Sequence, residues 1–160
     1  MIDTVVLVLN EGFSIMEPDN FQPSAKILTE GAGYMGSRGF LTCKLNPTPA
    51  ELRAGNYSAR LSLTKRFTNG GNFGLSLKIE LSLPKLLYGN NFDELVDSDL
   101  ETVIDKLYKK LKEKGVYILH SVLASSLVSS IHYSKNIILT DGRLPKYWLD
   151  TLAEANISKQ

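Results

Sequence analysis

The chain has almost no cysteine: its 160 residues include one, Cys43. A single cysteine excludes an internal disulfide and a cysteine-based metal cluster. A catalytic thiol remains open, but a small half-buried core residue is the favoured interpretation because Cys43 lies in a strand-like stretch, 40–45. Long apolar runs are also missing, since no stretch approaches the ~20 residues of a membrane span. The N-terminus lacks the basic leader of a signal peptide. We therefore expect a cytoplasmic protein.

Positively and negatively charged residues are nearly balanced, since the formal net charge is +1. This excludes a globally basic nucleic-acid binder but leaves room for a local basic patch. Nucleophile elbows, P-loops, Rossmann glycine patterns and HExxH zinc motifs are absent, so common hydrolase and nucleotide-binding classes lose support. The length and a hydrophobic fraction of 43% suit a single domain, 1–160, with one core.

Histidine is scarce, with only His120 and His132 in the chain. A metal site would therefore have to combine histidine with carboxylate, for instance His132 with Glu80. A lone strand histidine is more often an ordinary hydrogen-bonded residue. Beside a glutamate on a polar sheet face, however, it suits a hard divalent ion with open water positions.

Two runs of alternating residues occupy the middle of the chain. In 57–67 and again in 73–83, the odd positions are mostly apolar and the even positions are mostly hydroxyl or charged. This period of two predicts half-buried strands, and the Thr-Asn-Gly-Gly-Asn sequence between them predicts a hairpin turn. The even face is expected to carry Arg60, Arg66, Lys78 and Glu80. The local pattern favours a solvated face, with ligand binding as the alternative.

The remaining segments of the first half are shorter or less regular. The Val/Leu-rich stretch 2–10 predicts a central strand next to the hairpin. No convincing period appears in 11–39, which we interpret as an irregular excursion with one helical turn near 24–29. A short capped helix is predicted in 48–55, and a short helix or turn in 84–89.

The strongest helix signal begins at Ser98, where Ser98-Asp99-Leu100-Glu101 predicts a capping box. The helix is expected to end at Gly115 and to lie on the apolar side of the hairpin. Its lysines, near the C-terminus, favour a solvated face over DNA contact. The predicted apolar stripe is Leu100, Val103, Ile104, Leu107 and Leu111, with Tyr108 at its margin.

The last third of the chain contains further strand and helix signals. The segment 116–126 is ambiguous between strand and helix, and 127–139 predicts a strand with Ser130 and His132 on its polar side. A final helix is expected from about Leu144 or Pro145 to Ala155, burying Trp148, Leu149 and Leu152. The order of elements predicts an α+β fold, an antiparallel sheet with helices packed on one face.

Four segments together resemble a known family. They are MIDTV at 1–5, YSARLSLTKR at 57–66, LKIELSLPKLLYGNN at 77–91 and SSIHYSKN at 129–136. They are similar to the N-terminal part of the phage and plasmid replication proteins of the gene II/X family, over nearly the whole chain. Members are rolling-circle replication initiators: they bind an origin, nick one strand with a tyrosine that becomes joined to the 5′ phosphate, and later rejoin the ends. The resemblance implies an HUH-endonuclease-like fold with a ferredoxin-like core.

The resemblance also implies a partner, a cofactor and site residues. The partner is single-stranded or hairpin origin DNA, and the cofactor is Mg²⁺ or Mn²⁺, which would polarise the scissile phosphate. The implied metal ligands are Glu80 and His132. The implied DNA-binding residues are Arg60, Lys65, Arg66, Lys78 and Lys135.

No catalytic residue is assigned, because the family's nucleophilic tyrosine lies beyond the equivalent of Gln160. The segment with the nucleophile is therefore expected to be missing from this chain. Tyr57, Tyr88, Tyr133 and Tyr147 are favoured as core residues rather than catalysts. We expect an origin-binding domain that supports metal-dependent nicking. The alternative is a non-catalytic, phage-encoded module that binds DNA or protein.

Overall fold

The structure, a computed structural model, describes residues 2–24, 40–67, 73–134 and 142–154. Within these ranges the chain forms eight strands and five α-helices, with two 3-10 turns at Pro18–Asn20 and Asp97–Asp99. The strands are β1 Ile2–Leu9, β2 Phe13–Ile15, β3 Gln22–Pro23, β4 Phe40–Leu45, β5 Arg60–Phe67, β6 Phe73–Ser82, β7 Val116–Ile118 and β8 Val128–Tyr133. The helices are α1 Pro49–Arg53, α2 Leu83–Tyr88, α3 Leu100–Glu113, α4 His120–Ala124 and α5 Pro145–Glu154.

Six of the strands form one sheet in the order β3-β4-β5-β6-β1-β8, and every neighbouring pair is antiparallel. β2 and β7 form a separate two-stranded sheet. This arrangement confirms the predicted α+β class with a largely antiparallel sheet. It also confirms β1 as a neighbour of the hairpin, and it places β1 between β6 and β8.

The core lies on the face formed by the odd-numbered residues of β1, β5 and β6. Leu61 is 1% exposed, and Leu77 and Ile79 are fully buried. The α3 residues Val103, Leu107 and Leu111 belong to the same buried cluster. α3 therefore packs on the apolar side of the hairpin, as its periodicity predicts. Cys43 is half-buried against this cluster, as expected for a small core residue.

Local sequence signals set the ends of the short helices. Thr48 caps α1: its Oγ1 accepts from the Glu51 N–H at 3.2 Å, and Glu51 Oε2 accepts from the Thr48 N–H at 2.7 Å. α2 ends at Gly89, whose φ of 78° lies in the left-handed region that glycine adopts without strain. The capped helix predicted in 48–55 and the helix predicted in 84–89 are both confirmed.

The predicted start of α3 is wrong in detail. Residues 97–99 form a 3-10 turn. The carboxylate of Asp99 accepts a hydrogen bond from the N–H of Val96, the residue before the turn, at 2.9 Å. No side chain caps the α-helix itself. Leu100 was placed in the apolar stripe, yet it is 59% exposed, because it sits at the junction between the turn and the helix.

The C-terminal region also departs from its pattern. The ambiguous segment 116–126 contains both β7 and α4. The final helix forms as α5, but Trp148 is 39% exposed and Leu149 is 65% exposed, so their predicted burial is wrong. A helical period shows which residues share a face, but it does not show that another element covers that face.

Several predicted features fall wholly or partly outside the described residues. These are the helical turn near 24–29, the hairpin turn 68–72, the end of the predicted strand in 135–139 and the side chain of Leu152. The excursion that we interpreted as irregular contains β2, a 3-10 turn and β3 in its described part. Among the described helices, none combines the length and apolar composition needed to cross a membrane.

Candidate nucleic-acid interface

One face of the six-stranded sheet is polar over three neighbouring strands, β4, β5 and β6, whereas β1 contributes Val6 and Val8 to it. Partners across the ladders have even numbers: Lys44 faces Ser62, Ser62 faces Lys78, and Lys78 faces Val8. Even-numbered side chains of β4, β5, β6 and β1 therefore emerge together, because side chains alternate between faces along a strand. The side chain of Arg60 is 68% exposed and that of Lys78 is 48% exposed. This face is open to solvent around both residues.

An ion-pair triad lies near one end of this face. The Glu80 carboxylate lies 3.5 Å from Arg60 Nη1 and 3.4 Å from Lys78 Nζ. These distances exceed the 2.7–2.9 Å typical of charge-assisted hydrogen bonds. A single carboxylate faces two cations, so the triad keeps a surplus positive charge. Glu80 also reduces the repulsion between Arg60 and Lys78 and holds them side by side.

A pocket of about 800 Å³ opens over the triad. Its lining includes residues of β5 and β6, together with Asn46, Leu52, Lys85 and Gly89. The lining contains four cations and one carboxylate: Lys44, Arg60, Lys78, Lys85 and Glu80. The formal surplus is three positive charges, whereas the whole chain has a net charge of only +1. Positive charge is therefore concentrated at this pocket.

At the edge of the pocket, Tyr57 connects the segment before β5 to the end of β6. Its phenol oxygen accepts a hydrogen bond from the Ser82 N–H at 2.5 Å. Burial raises the pKa of Tyr57 above its ordinary value, so this phenol ionises less readily than a free tyrosine. A phenol that resists ionisation is a weaker nucleophile. Tyr57 lines the pocket as a structural residue.

Ser58 is buried beside Tyr57 and lines the same pocket. The residue is 6% exposed, and within the described ranges its Oγ has no hydrogen-bond partner. Most buried hydroxyls are hydrogen-bonded, because an unsatisfied one loses its water without compensation. Ser58 is thus an unused donor and acceptor at the wall of a cationic pocket.

The end of the LKIELSLPKLLYGNN segment at 77–91 closes a loop next to the pocket. Asn90 Oδ1 accepts from the N–H groups of Phe92 and Asp93, at 2.8 and 3.1 Å, which folds the chain sharply after α2. The Oδ1 atom of Asn91 lies 3.2 Å from Ser82 Oγ. These asparagines therefore have a structural role in positioning Gly89 and Lys85 at the pocket wall.

The structure brings together most of the predicted DNA-binding residues, but not all. Arg60, Arg66 and Lys78 share the polar face. Lys65 lies on the opposite face of β5, where its ammonium sits 3.9 Å from the centre of the Phe73 ring. Placing Lys65 with the arginines was inconsistent with strand alternation. Lys135 lies outside the described residues.

The two predicted metal ligands share the polar face but are not adjacent. Glu80 faces Val6 and His132 faces Thr4, so the whole of β1 separates them. The strands that carry them, β6 and β8, are two strand spacings apart, which amounts to about 9.5 Å. Glu80 also already contacts two cations. In the described ranges, no group of three His, Cys, Asp or Glu side chains is placed to hold a metal ion. The residues present do not fit the predicted ion.

Three of the four tyrosines differ from the expected core positions, whereas Tyr57 is half-buried against the core. Tyr133 is 73% exposed and Tyr147 is 47% exposed, so neither is a core residue. Tyr133 pairs with Ile2 beyond an irregularity in the β1–β8 ladder, which disturbs the simple alternation of β8. Tyr88 is also exposed, and its hydroxyl donates to the Asp99 carboxylate at 2.5 Å. Of these four tyrosines, only Tyr57 lines the pocket.

Three pocket residues were missed by sequence reasoning: Lys44, Lys85 and Ser58. Lys44 alternates with Cys43 in β4, so its face could have been predicted once β4 was placed beside β5. Lys85 lies on α2, whose position against β1 and β6 no local pattern encodes. The unsatisfied state of Ser58 is a tertiary property with no sequence signal.

Comparison of the chain with protein-family models, with curated proteins and with solved structures found no match.

Proposed function

We propose that the protein is the origin-binding domain of a rolling-circle replication initiator, and that it binds single-stranded or hairpin DNA on the polar sheet face. The observation that carries this proposal is the clustering of Lys44, Arg60, Lys78 and Lys85 on one open surface with a single carboxylate. DNA binding is dominated by neutralisation of phosphates by lysine and arginine, which release condensed counterions. Binding of this kind would take place in the cytoplasm of a bacterial host.

The strand order offers a second line of support. The order β5-β6-β1-β8, with α3 in the connection from β6 to β8, matches a split βαβ arrangement of the ferredoxin-like type. Among its described residues, the connection from β1 to β5 contains the strands β2, β3 and β4 and, as its only α-helix, the short α1, which departs from that arrangement. Fold likeness alone does not establish activity, so the proposal depends on the charged face.

The proposal is tested by measuring DNA affinity against salt concentration. Fluorescence anisotropy with a labelled single strand and a labelled hairpin gives the slope of log K against log salt for each variant. The double variant Arg60→Ala with Arg66→Ala removes two cations from the face. Each lost phosphate contact on single-stranded DNA reduces the slope by about 0.7, so we expect a reduction of about 1.4.

A matched control removes the same charge from the helix layer. Lys109→Ala with Lys112→Ala changes two lysines of α3, on the other side of the sheet. The control is expected to keep the slope of the unaltered protein. Equal slopes for the arginine variant and the unaltered protein would rule out this face as the DNA-binding surface.

A second candidate is a DNA-binding module that does not cut DNA. It is favoured by the separation of Glu80 from His132 and by the hydrogen-bonded phenol of Tyr57, which ionises less readily than a free tyrosine because burial raises its pKa. Incubation of the protein with labelled origin DNA and Mg²⁺ or Mn²⁺, followed by denaturing electrophoresis, distinguishes the two. A covalent protein–DNA adduct identifies a nicking enzyme, and binding without an adduct identifies the module.

A further inference from the structure

The pocket beside the Arg60–Glu80–Lys78 triad has features that a flat phosphate-binding surface does not need. It is a concave site, and Asn46, Leu52 and Lys85 line it together with residues of β5 and β6. Its volume of about 800 Å³ lies within the ~300–1,000 Å³ typical of pockets that hold small ligands. The volume is sufficient for a nucleotide unit and much larger than an inorganic anion requires.

The cations of the pocket are arranged for a phosphate. Arg60 and Lys78 are held side by side by Glu80 and remain exposed. Lys44 and Lys85 lie in the same lining, where no second carboxylate is present among the described residues. An incoming phosphate would therefore meet surplus positive charge without having to displace a strong ion pair.

The walls of the pocket supply apolar surface as well as charge. Pro47, Leu52 and the half-buried ring of Tyr57 line it together with the cations. Leu52 is 54% exposed, although it is a large aliphatic residue. A nucleotide presents both a charged phosphate and a flat apolar base, whereas a free anion would make no use of these side chains.

Ser58 provides an independent observation that points to a ligand. Ser58 lines the pocket, and its buried Oγ has no partner in the described part of the chain. A phosphate oxygen is a strong acceptor that would satisfy this hydroxyl once the side chain turned toward the pocket. The unsatisfied group lowers the stability of the empty protein and strengthens binding once a ligand supplies the partner.

We infer that this pocket is a subsite for a single nucleotide of the bound strand, with the phosphate held by Arg60 and Ser58 and the base against Tyr57 and Leu52. The identity of the ligand rests on the proposed function, because a DNA-binding face makes a nucleotide its natural occupant. The inference adds that one nucleotide is taken out of the strand and enclosed. The rest of the face contacts only the backbone.

The test uses isothermal titration calorimetry of the whole chain with thymidine 5′-monophosphate, thymidine and inorganic phosphate. The monophosphate is expected to bind with one-to-one stoichiometry, and more tightly than either of the other two. Loss of one hydrogen bond to a charged group corresponds to about tenfold in affinity, so Ser58→Ala and Arg60→Ala should each weaken binding by about that factor. Lys65→Ala, on the same strand but the opposite face, should leave it unchanged.

Ser58→Ala has a second readout that a purely structural serine would not show. Removal of an unsatisfied buried hydroxyl should leave the Tm equal or higher, while nucleotide affinity falls. Equal affinity of the unaltered, Ser58→Ala and Arg60→Ala proteins for the monophosphate would overturn the subsite. Equally tight binding of inorganic phosphate would overturn it as well.

Failure of the subsite and failure of the proposed function give different results. Arg66 lies outside the pocket on the same face, so Arg66→Ala reports oligonucleotide binding separately. An Arg66-dependent oligonucleotide affinity, with no monophosphate binding, removes the subsite and keeps the DNA-binding face. Monophosphate binding that depends on Ser58, with no oligonucleotide affinity, keeps the pocket and removes the proposed function.

Discussion

The phenol oxygen of Tyr57 accepts a hydrogen bond from the backbone N–H of Ser82 at 2.5 Å. This contact joins the chain entering β5 to the last residue of β6, and it fixes the edge of the cationic pocket. Tyr57→Phe leaves the Ser82 N–H without its acceptor. We expect a loss of about 1–2 kcal/mol in the free energy of unfolding, measured by urea denaturation. Tyr88→Phe, which removes an exposed hydroxyl, is the control and should have a smaller effect.

The same contact predicts a dependence of stability on alkaline pH. Burial raises the pKa of Tyr57 in the folded protein above its ordinary value of 10.0, so the folded state favours the neutral phenol. The resulting stability is fully present below pH 10 and is lost as pH rises through the folded pKa. Denaturation curves collected from pH 8 to pH 11 should show this decline, and Tyr57→Phe should reduce it. An unchanged decline would exclude Tyr57 as its source.

The ion pair between Glu51 and Lys114 predicts a dependence on acid pH. The Lys114 ammonium donates to the Glu51 carboxylate, and this contact, together with the Thr48 N–H, lowers the pKa of Glu51 from 4.5 to about 2. The stability is present above pH 4.5 and is lost as pH falls toward 2. Because solvent screens the pair, Glu51→Gln should cost about 0.5–1 kcal/mol at pH 7. The difference from the unaltered protein should disappear near pH 2 in chemical denaturation, and a constant difference would contradict the assignment.

Two glycines with left-handed backbones form a matched pair. Gly115 has a φ of 72°, and an added Cβ would lie 2.8 Å from the Cβ of Glu17. Gly55 has a φ of 73°, with nothing within 4 Å of the same position. Both alanine variants should lose about 1 kcal/mol from backbone strain. Gly115→Ala should lose at least ~1 kcal/mol more from the clash, measured by thermal and urea denaturation. Equal losses would show that Glu17 moves without cost.

Adjacent residues of β5 test which side of the sheet binds DNA. Arg66 belongs to the polar face, and Lys65 stacks on Phe73 on the other face. Arg66→Ala should lower the salt slope of DNA affinity by about 0.7, and Lys65→Ala should leave it unchanged. Anisotropy titrations between 50 and 300 mM salt provide the measurement. A reversed result would assign DNA binding to the opposite face.

The regular parts of this fold were predictable from local patterns. Period-two alternation identified β5 and β6 and their buried residues, since side chains of a strand must alternate between faces. The ends of α1 and the C-terminal ends of α2 and α3 could be predicted from their capping residues and glycines, because these act on backbone groups within a few residues. Patterns failed where two sequence-distant segments meet, as for the exposed Trp148 and the exposed Tyr133.

In the candidate site, too, local features were predictable and features that join distant segments were not. Arg60, Arg66 and Lys78 were placed on one face correctly, because they lie on two strands joined by a hairpin. The pairing of Glu80 with His132 was expected from the resemblance, yet β1 lies between their strands. Strand order in a sheet depends on which distant segments pair, and no local period encodes that choice.

The sequence by itself determined the main strands and helices, among them β1, β5, β6 and α3, and which face of the hairpin strands is apolar. It also placed three cations on one side of the hairpin. Only the tertiary structure decided that Lys44 and Lys85 join them, that Ser58 is buried without a partner, and that β1 separates the predicted metal ligands. The physical reason is that alternation and capping act over a few residues. Pockets, by contrast, arise where elements distant in sequence come together, and their energetics depend on burial that exists only in the folded chain.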